Sequence, residues 1–220
     1  MKMNKGFTLV ELLIALFVGA LMMTAVYGIV NMAQKSSSGI ERRVVSQKDV
    51  RGALDLMALE LRMASYNPQP EDTSIWKSAA NCASAGTSAY KGIQAASASS
   101  ISIEMDANDS QVINDFANEI ITYTHSGNTI TRAANCGTAQ TFIGGTIVRI
   151  VNPATVPVFR YYDFNNIEIP AATLTARIPE IRAIEITLVA ETEDDDPMTK
   201  VPRRIVYSTR VVPRNHGANP

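Results

Sequence analysis

The fold is decided at the start of the chain: Met1-Lys-Met-Asn-Lys-Gly6-Phe7-Thr8-Leu9-Val10-Glu11, followed by Leu12 to Val30 without a charged residue. A short basic leader ends in Gly6, an apolar segment follows at once, and one carboxylate, Glu11, sits alone near the head of that segment. Between Leu12 and Gln34 no Asp, Glu, Lys or Arg occurs. Roughly 20 helical residues cross a bilayer core at about 1.5 Å each. Leu12–Val30 meets that length, and starting at Phe7 exceeds it. Gly19 and Gly28 are tolerated in such helices, and no Pro interrupts the run.

Two simpler readings compete. A secretory signal peptide has a basic start, a shorter apolar core and a small-residue cleavage site after it. Ala25-Val-Tyr-Gly28 imitates such a site, but the apolar run is long for that role. An ordinary membrane anchor accounts for the length and for Lys2 and Lys5, but not for Glu11. A carboxylate within a membrane helix is costly and usually paired or functional. No cation lies inside the segment to pair with it. A cut after Gly6 would create one, the ammonium of Phe7, at i−4 from Glu11. An intermolecular pair between these groups would fix the axial offset of neighbouring helices.

Lys5-Gly6-Phe7-Thr8-Leu9-Val10-Glu11-Leu12-Leu13 resembles the N-terminal segment of type IV prepilins and type II secretion pseudopilins. The resemblance covers about 25 residues and implies several things. A membrane aspartyl peptidase, the prepilin peptidase, cuts the Gly6–Phe7 bond and methylates the amine of Phe7. Glu11 is the charge partner of that amine during assembly. Other pilins or minor pilins, together with inner-membrane lipid, are the partners of the N-terminal helix. The cytoplasmic N-terminus, the periplasmic C-terminal domain and the later place in a pilus or pseudopilus also come from the resemblance, because Lys35, Arg42 and Arg43 weaken any orientation signal from charge.

The chain has 220 residues with 20 Lys+Arg against 21 Asp+Glu, a net charge of −1. Losing Lys2 and Lys5 with a leader leaves 18 against 21, or −3. This balance carries no footprint for nucleic acid. The expected organisation is a leader over 1–6, the transmembrane half of a helix over 7–30, an amphipathic half over 31–66 and a β-rich periplasmic domain over 67–220. Ile40, Val44, Val50, Leu54, Met57, Ala58 and Leu61 mark the apolar stripe of the amphipathic half. Ser36-Ser-Ser-Gly39 is a weak point in it, and Asn67-Pro68-Gln69-Pro70 ends it.

Residues 67–100 read as irregular and polar. Strand patterns follow at 100–105, 119–125 and 128–132, the last two flanking a Ser126-Gly127 turn. Further strands are expected at 146–151, 158–164, 182–190 and 203–212. The last two are joined by the acidic run from Glu191 to Asp196. The fold class is α+β, a long N-terminal helix packed on an antiparallel sheet in the manner of type IV pilins.

Cys82 and Cys136 lie in small-residue stretches. In a periplasmic domain they are expected to form a disulfide, with two buried thiols as the other reading. Catalytic motifs are absent: His125 and His216 fall in no metal or nucleophile pattern, and Gly144-Gly145 is an isolated turn signal. No enzyme and no cofactor are expected. The run Glu191, Glu193, Asp194, Asp195, Asp196 offers calcium its oxygens, with Asp194, Asp195 and Asp196 as candidate ligands, but it lacks EF-hand spacing, and a solvated loop is the alternative. Of the aromatic group, Phe159 and Tyr161 share one strand face and Tyr162 and Phe164 the other, so one face is expected in the core.

Three downstream features resemble PilW-like minor pilins: the stretch ending Glu60-Leu-Arg-Met-Ala-Ser-Tyr-Asn67, the strand Phe159-Arg-Tyr-Tyr-Asp163 with its Asn165-Asn166 turn, and the closing strands 181–189 and 207–215. This implies a structural, non-enzymatic part in a priming or tip complex of a type IV pilus. A type II secretion pseudopilin of the GspJ kind shares the plan. A membrane-anchored adhesin or ligand-binding module is the third reading.

Overall fold

The computed structural model describes residues 6–146, 148–195 and 201–217. It falls into two compact units, Met1–Val45 and Ser46–Pro220. Helix α1 spans Leu9–Met63, 55 residues. It continues unbroken through 36–39, where the sequence suggests a weak point. It stops three residues earlier than the pattern predicts, because Ser65 adopts a left-handed backbone with φ 65°. A helix cannot continue through that conformation.

From Leu9 to Val30 α1 is almost wholly apolar and exposed: Leu12, Leu13, Ile14, Leu16, Phe17 and Leu21 are all open to the surroundings. Leu9–Gln34 is long and apolar enough to cross a membrane.

The first two members of the expected stripe, Ile40 and Val44, are exposed, whereas in the second unit Val50, Leu54, Met57, Ala58 and Leu61 are buried. The spacing i, i+4, i+7, i+8, i+11 puts these side chains on one helix face. They share a core with Ile101, Ile103, Ile121, Tyr123 and Ile130 of one sheet and Phe159, Tyr161, Ile184, Ile186 and Leu188 of another. Packing on both sheets supplies the apolar cover that an isolated amphipathic helix lacks.

The first sheet has order β1-β2-β3-β4-β5, from Ile93–Ala96, Ser100–Glu104, Ile120–Ser126, Thr129–Ala134 and Gln140–Gly144. Every pairing in it is antiparallel. The β3–β4 hairpin turns at Gly127, whose φ of 59° suits glycine. The second sheet contains β6 (Val148–Ile150), β7 (Phe159–Tyr162), β8 (Ala183–Asp195) and β9 (Pro202–Val211). β8 pairs with β6 and β7, and β9 pairs with β8. The single sheet of the sequence reading is therefore two, because alternation reveals which face of a strand is buried but not which strand lies beside it. β1 and β5 also go beyond that reading. β1 lies in the stretch expected to be irregular, and only Ile93 in Ile-Gln-Ala-Ala carries an apolar signal.

Glu60 fastens α1 to the first sheet. Its carboxylate receives Arg132 through Nη2 at 2.8 Å and Nε at 3.2 Å. It also accepts the hydroxyl of the fully buried Tyr123. One long helix followed by antiparallel sheets is the α+β, type IV pilin-like arrangement.

Candidate functional site

Gly6 and Phe7 precede the helix and are exposed, Phe7 at 89%. Thr8 is the residue before the first helical turn, and Glu11 is the third residue within it. The Glu11 carboxylate accepts the Thr8 backbone N–H and the Thr8 hydroxyl, each at 2.9 Å. The Thr8 hydroxyl oxygen accepts the Glu11 backbone N–H at 3.2 Å. This is a reciprocal capping box, which satisfies donors left unpaired at a helix start. Thus the carboxylate has an intramolecular partner before any amine is created at Phe7. The pattern Thr8-x-x-Glu11 is legible in the sequence, but the partners it gives the carboxylate are a hydroxyl and an amide rather than a charge.

From Leu12 onward the helix offers no polar side chain before Thr24, whose hydroxyl donates back to the Ala20 carbonyl at 2.9 Å. The exposed apolar surface far exceeds what soluble proteins present to water. Its chemistry is that of a lipid-facing or helix-facing surface.

In the second unit, Cys82 and Cys136 form a disulfide with Cα atoms 6.0 Å apart. Cys82 packs with Ile75, Trp76, Ile113 and Ile120 in a second apolar cluster. Glu104, at the end of β2, is fully buried. Its Oε2 accepts the Lys77 N–H at 2.8 Å. Burial pushes the Glu104 carboxyl up to about 8, against the smaller opposing effects of that hydrogen bond and the Lys77 charge. At neutral pH it is mostly the neutral acid.

His216 is buried rather than in a free tail. Its Nε2 lies 2.8 Å from the Ile178 carbonyl and its Nδ1 2.8 Å from Ser65 Oγ. A carbonyl can only accept, so Nε2 carries the hydrogen and Nδ1 accepts from Ser65. Ser65 Oγ also accepts the Gly92 N–H at 2.9 Å. The pair is sealed from solvent, with Ser65 only 4% exposed. Its geometry fastens the chain and offers no open nucleophile.

Among the described residues no group of three or more His, Cys, Asp or Glu could hold a metal ion. The acidic run is not a simple connection: β8 continues through it to Asp195. Glu191 is clamped between Arg149 and Arg204, each 2.7 Å away. Asp194 and Asp195 close the strand, and Asp196 lies outside the described residues. Of the aromatic group, Phe159 and Tyr161 are in the core, whereas Phe164 is 78% exposed. Tyr162, on the outer face, donates to Glu185 at 2.6 Å.

No curated protein and no solved structure matches the chain. Residues 1–27 match the family model of the prokaryotic N-terminal methylation motif. The match spans Gly6, Phe7, the Thr8–Glu11 box and most of the apolar helix. The chain carries a type IV pilin- or pseudopilin-like prepilin signal of the kind processed by prepilin peptidase.

Proposed function

We propose that the chain is a non-enzymatic minor pilin of the PilW-like group, with a part in the priming or tip complex of a type IV pilus. The observation that carries this is the prepilin-type signal on an exposed apolar helix whose carboxylate is held by a capping box. In this reading residues 1–6 are the leader, removed by prepilin peptidase at Gly6–Phe7, and the amine of Phe7 is methylated. The helix over 7–30 sits in the inner membrane with its N-terminus cytoplasmic. The amphipathic half over 31–66 leads to the β-rich domain, 67–220, in the periplasm. Glu11 leaves its capping box to pair with the amine of a neighbouring pilin, and the sheet domain selects partners.

The test is Glu11→Ala in the native host. Processing is expected to remain and incorporation into filaments to fall. Normal incorporation of that variant refutes the role given to Glu11. Deleting the gene is expected to abolish piliation with protein export intact. The reverse phenotype would make the chain a GspJ-like pseudopilin.

A further inference from the structure

We propose that the segment after β9 is a pH-releasable clasp, closed on the end of α1 by the neutral imidazole of His216 and opened when that ring takes a proton. The proposal is independent of the filament the chain enters. Three elements meet at the ring. Ser65 lies just past α1 and donates its hydroxyl to Nδ1. Gly92, at the edge of β1, donates its N–H to the Ser65 oxygen. Ile178, in the 3₁₀ turn Thr175–Glu180, accepts from Nε2. The same segment reaches the helix again through Arg214, whose N–H donates to the Arg62 carbonyl at 3.3 Å. Gly217 lies close against Arg182, where an added Cβ would come within 2.4 Å of that side chain.

Protonation removes the only acceptor on the ring. The Ser65 hydroxyl loses its target and the new Nδ1–H points at it. The charge then sits in a site that is 2% exposed, with no carboxylate among its partners. The charged groups that face it are Lys91 and Arg182, both cations. Arg177 and Glu180 of the 3₁₀ turn are paired with each other, and Arg177 also with Asp163. Burial holds the imidazole down to about 4 in the closed state, opposed in part by the hydrogen bond to the Ile178 carbonyl and reinforced by the two cations. A released ring titrates near 6.5, so acid pulls the equilibrium toward the open state. The open fraction is expected to rise about twentyfold between pH 7 and pH 5.

The chain has two histidines, which makes the test direct. Full-length protein in detergent micelles, labelled at His with nitrogen-15, is followed from about pH 7.5 to 4, with His125→Gln assigning the two rings. Hydrogen exchange of the peptide over 212–217 is measured in parallel and corrected for the intrinsic pH dependence. Expected at neutral pH is an Nε2–H tautomer for His216. Between pH 7 and pH 5, exchange of 212–217 should accelerate about twentyfold while β8 stays protected. His216→Gln, which retains an acceptor and a donor without titrating, should show no such acceleration. Three outcomes overturn the clasp: His216 protonating near 6.5 without a change in exchange, acceleration persisting unchanged in His216→Gln, or 212–217 and β8 losing protection together. If the variant does not fold, the wild-type comparison of 212–217 with β8 decides alone.

Discussion

Replacing Glu104 by Gln should remove a fall in stability with rising pH between about pH 4.5 and 8. The group is buried beside Lys77, and its folded-state value is raised from 4.5 to about 8. The sign follows from which state binds the proton. Below 4.5 both folded and unfolded chains hold it. From 4.5 to 8 the unfolded chain releases it and the folded chain does not, so rising pH favours unfolding. Each pH unit in that window removes about 1.4 kcal/mol. Between pH 4.5 and 7 the cumulative loss is roughly 3 kcal/mol. Gln cannot ionise, and the variant lacks this loss. Whatever the amide costs or gains by packing is the same at every pH and drops out of the slope. His216 acts oppositely, with stability lost as pH falls from 6.5 towards 4, but it is present in both proteins and cancels in the difference. The assay is urea unfolding of the full chain in micelles at several pH values. Fluorescence of Trp76, the chain's single Trp and adjacent to Lys77, reports on it. The difference in unfolding free energy, wild type minus Glu104→Gln, should fall by roughly 3 kcal/mol from pH 4.5 to 7. Parallel curves for the two proteins would refute the reasoning.

Other expectations are simpler. Replacing Cys82 and Cys136 together by Ser opens a loop with a sequence separation of 54; the chain-entropy loss is about 4 kcal/mol, seen as a fall in Tm of roughly 8–16 °C. Leu61→Ala, at a fully buried position under both sheets, should cost about 2–5 kcal/mol in denaturant unfolding. Gly92→Ala would place a Cβ 2.3 Å from the Glu104 carbonyl and 2.5 Å from the Ser65 nitrogen; both are backbone atoms, so the Tm should drop by more than for Ala at an open site such as Gly52, which meets nothing within 4 Å.

The long apolar N-terminal helix was legible because length and polarity act locally: a run of this length without charge has few other readings. So was the buried face of β8, where Ile184, Ile186 and Leu188 alternate with the less buried Glu185 and Thr187. The second sheet was not, since its pairing joins β6 to β8 across about forty residues and no local signal encodes that partner. Ser65 shows the same limit at the helix end. Pro68 and Pro70 mark where a helix must have ended, while the actual stop depends on hydrogen bonds from Ser65 to Glu104 and His216. His216 looked like an unremarkable tail residue for that reason. The capping box is different. Both its members stand three apart in the sequence, and a rule for helix starts finds them without any structure.

β9 pairs with β8 along its length and, among the described residues, with no other strand. Its outer edge is ten residues long, an open template for a further strand. Natural sheets blunt such edges with charge and with Pro at the first position. Here Pro202 opens the strand and Arg203, Arg204 and Arg210 follow, with no acidic residue among them. A second copy meeting this edge antiparallel would set arginine pairs against one another at both ends. When many such domains are held at high local concentration, that repulsion keeps each sheet separate and leaves association to other surfaces.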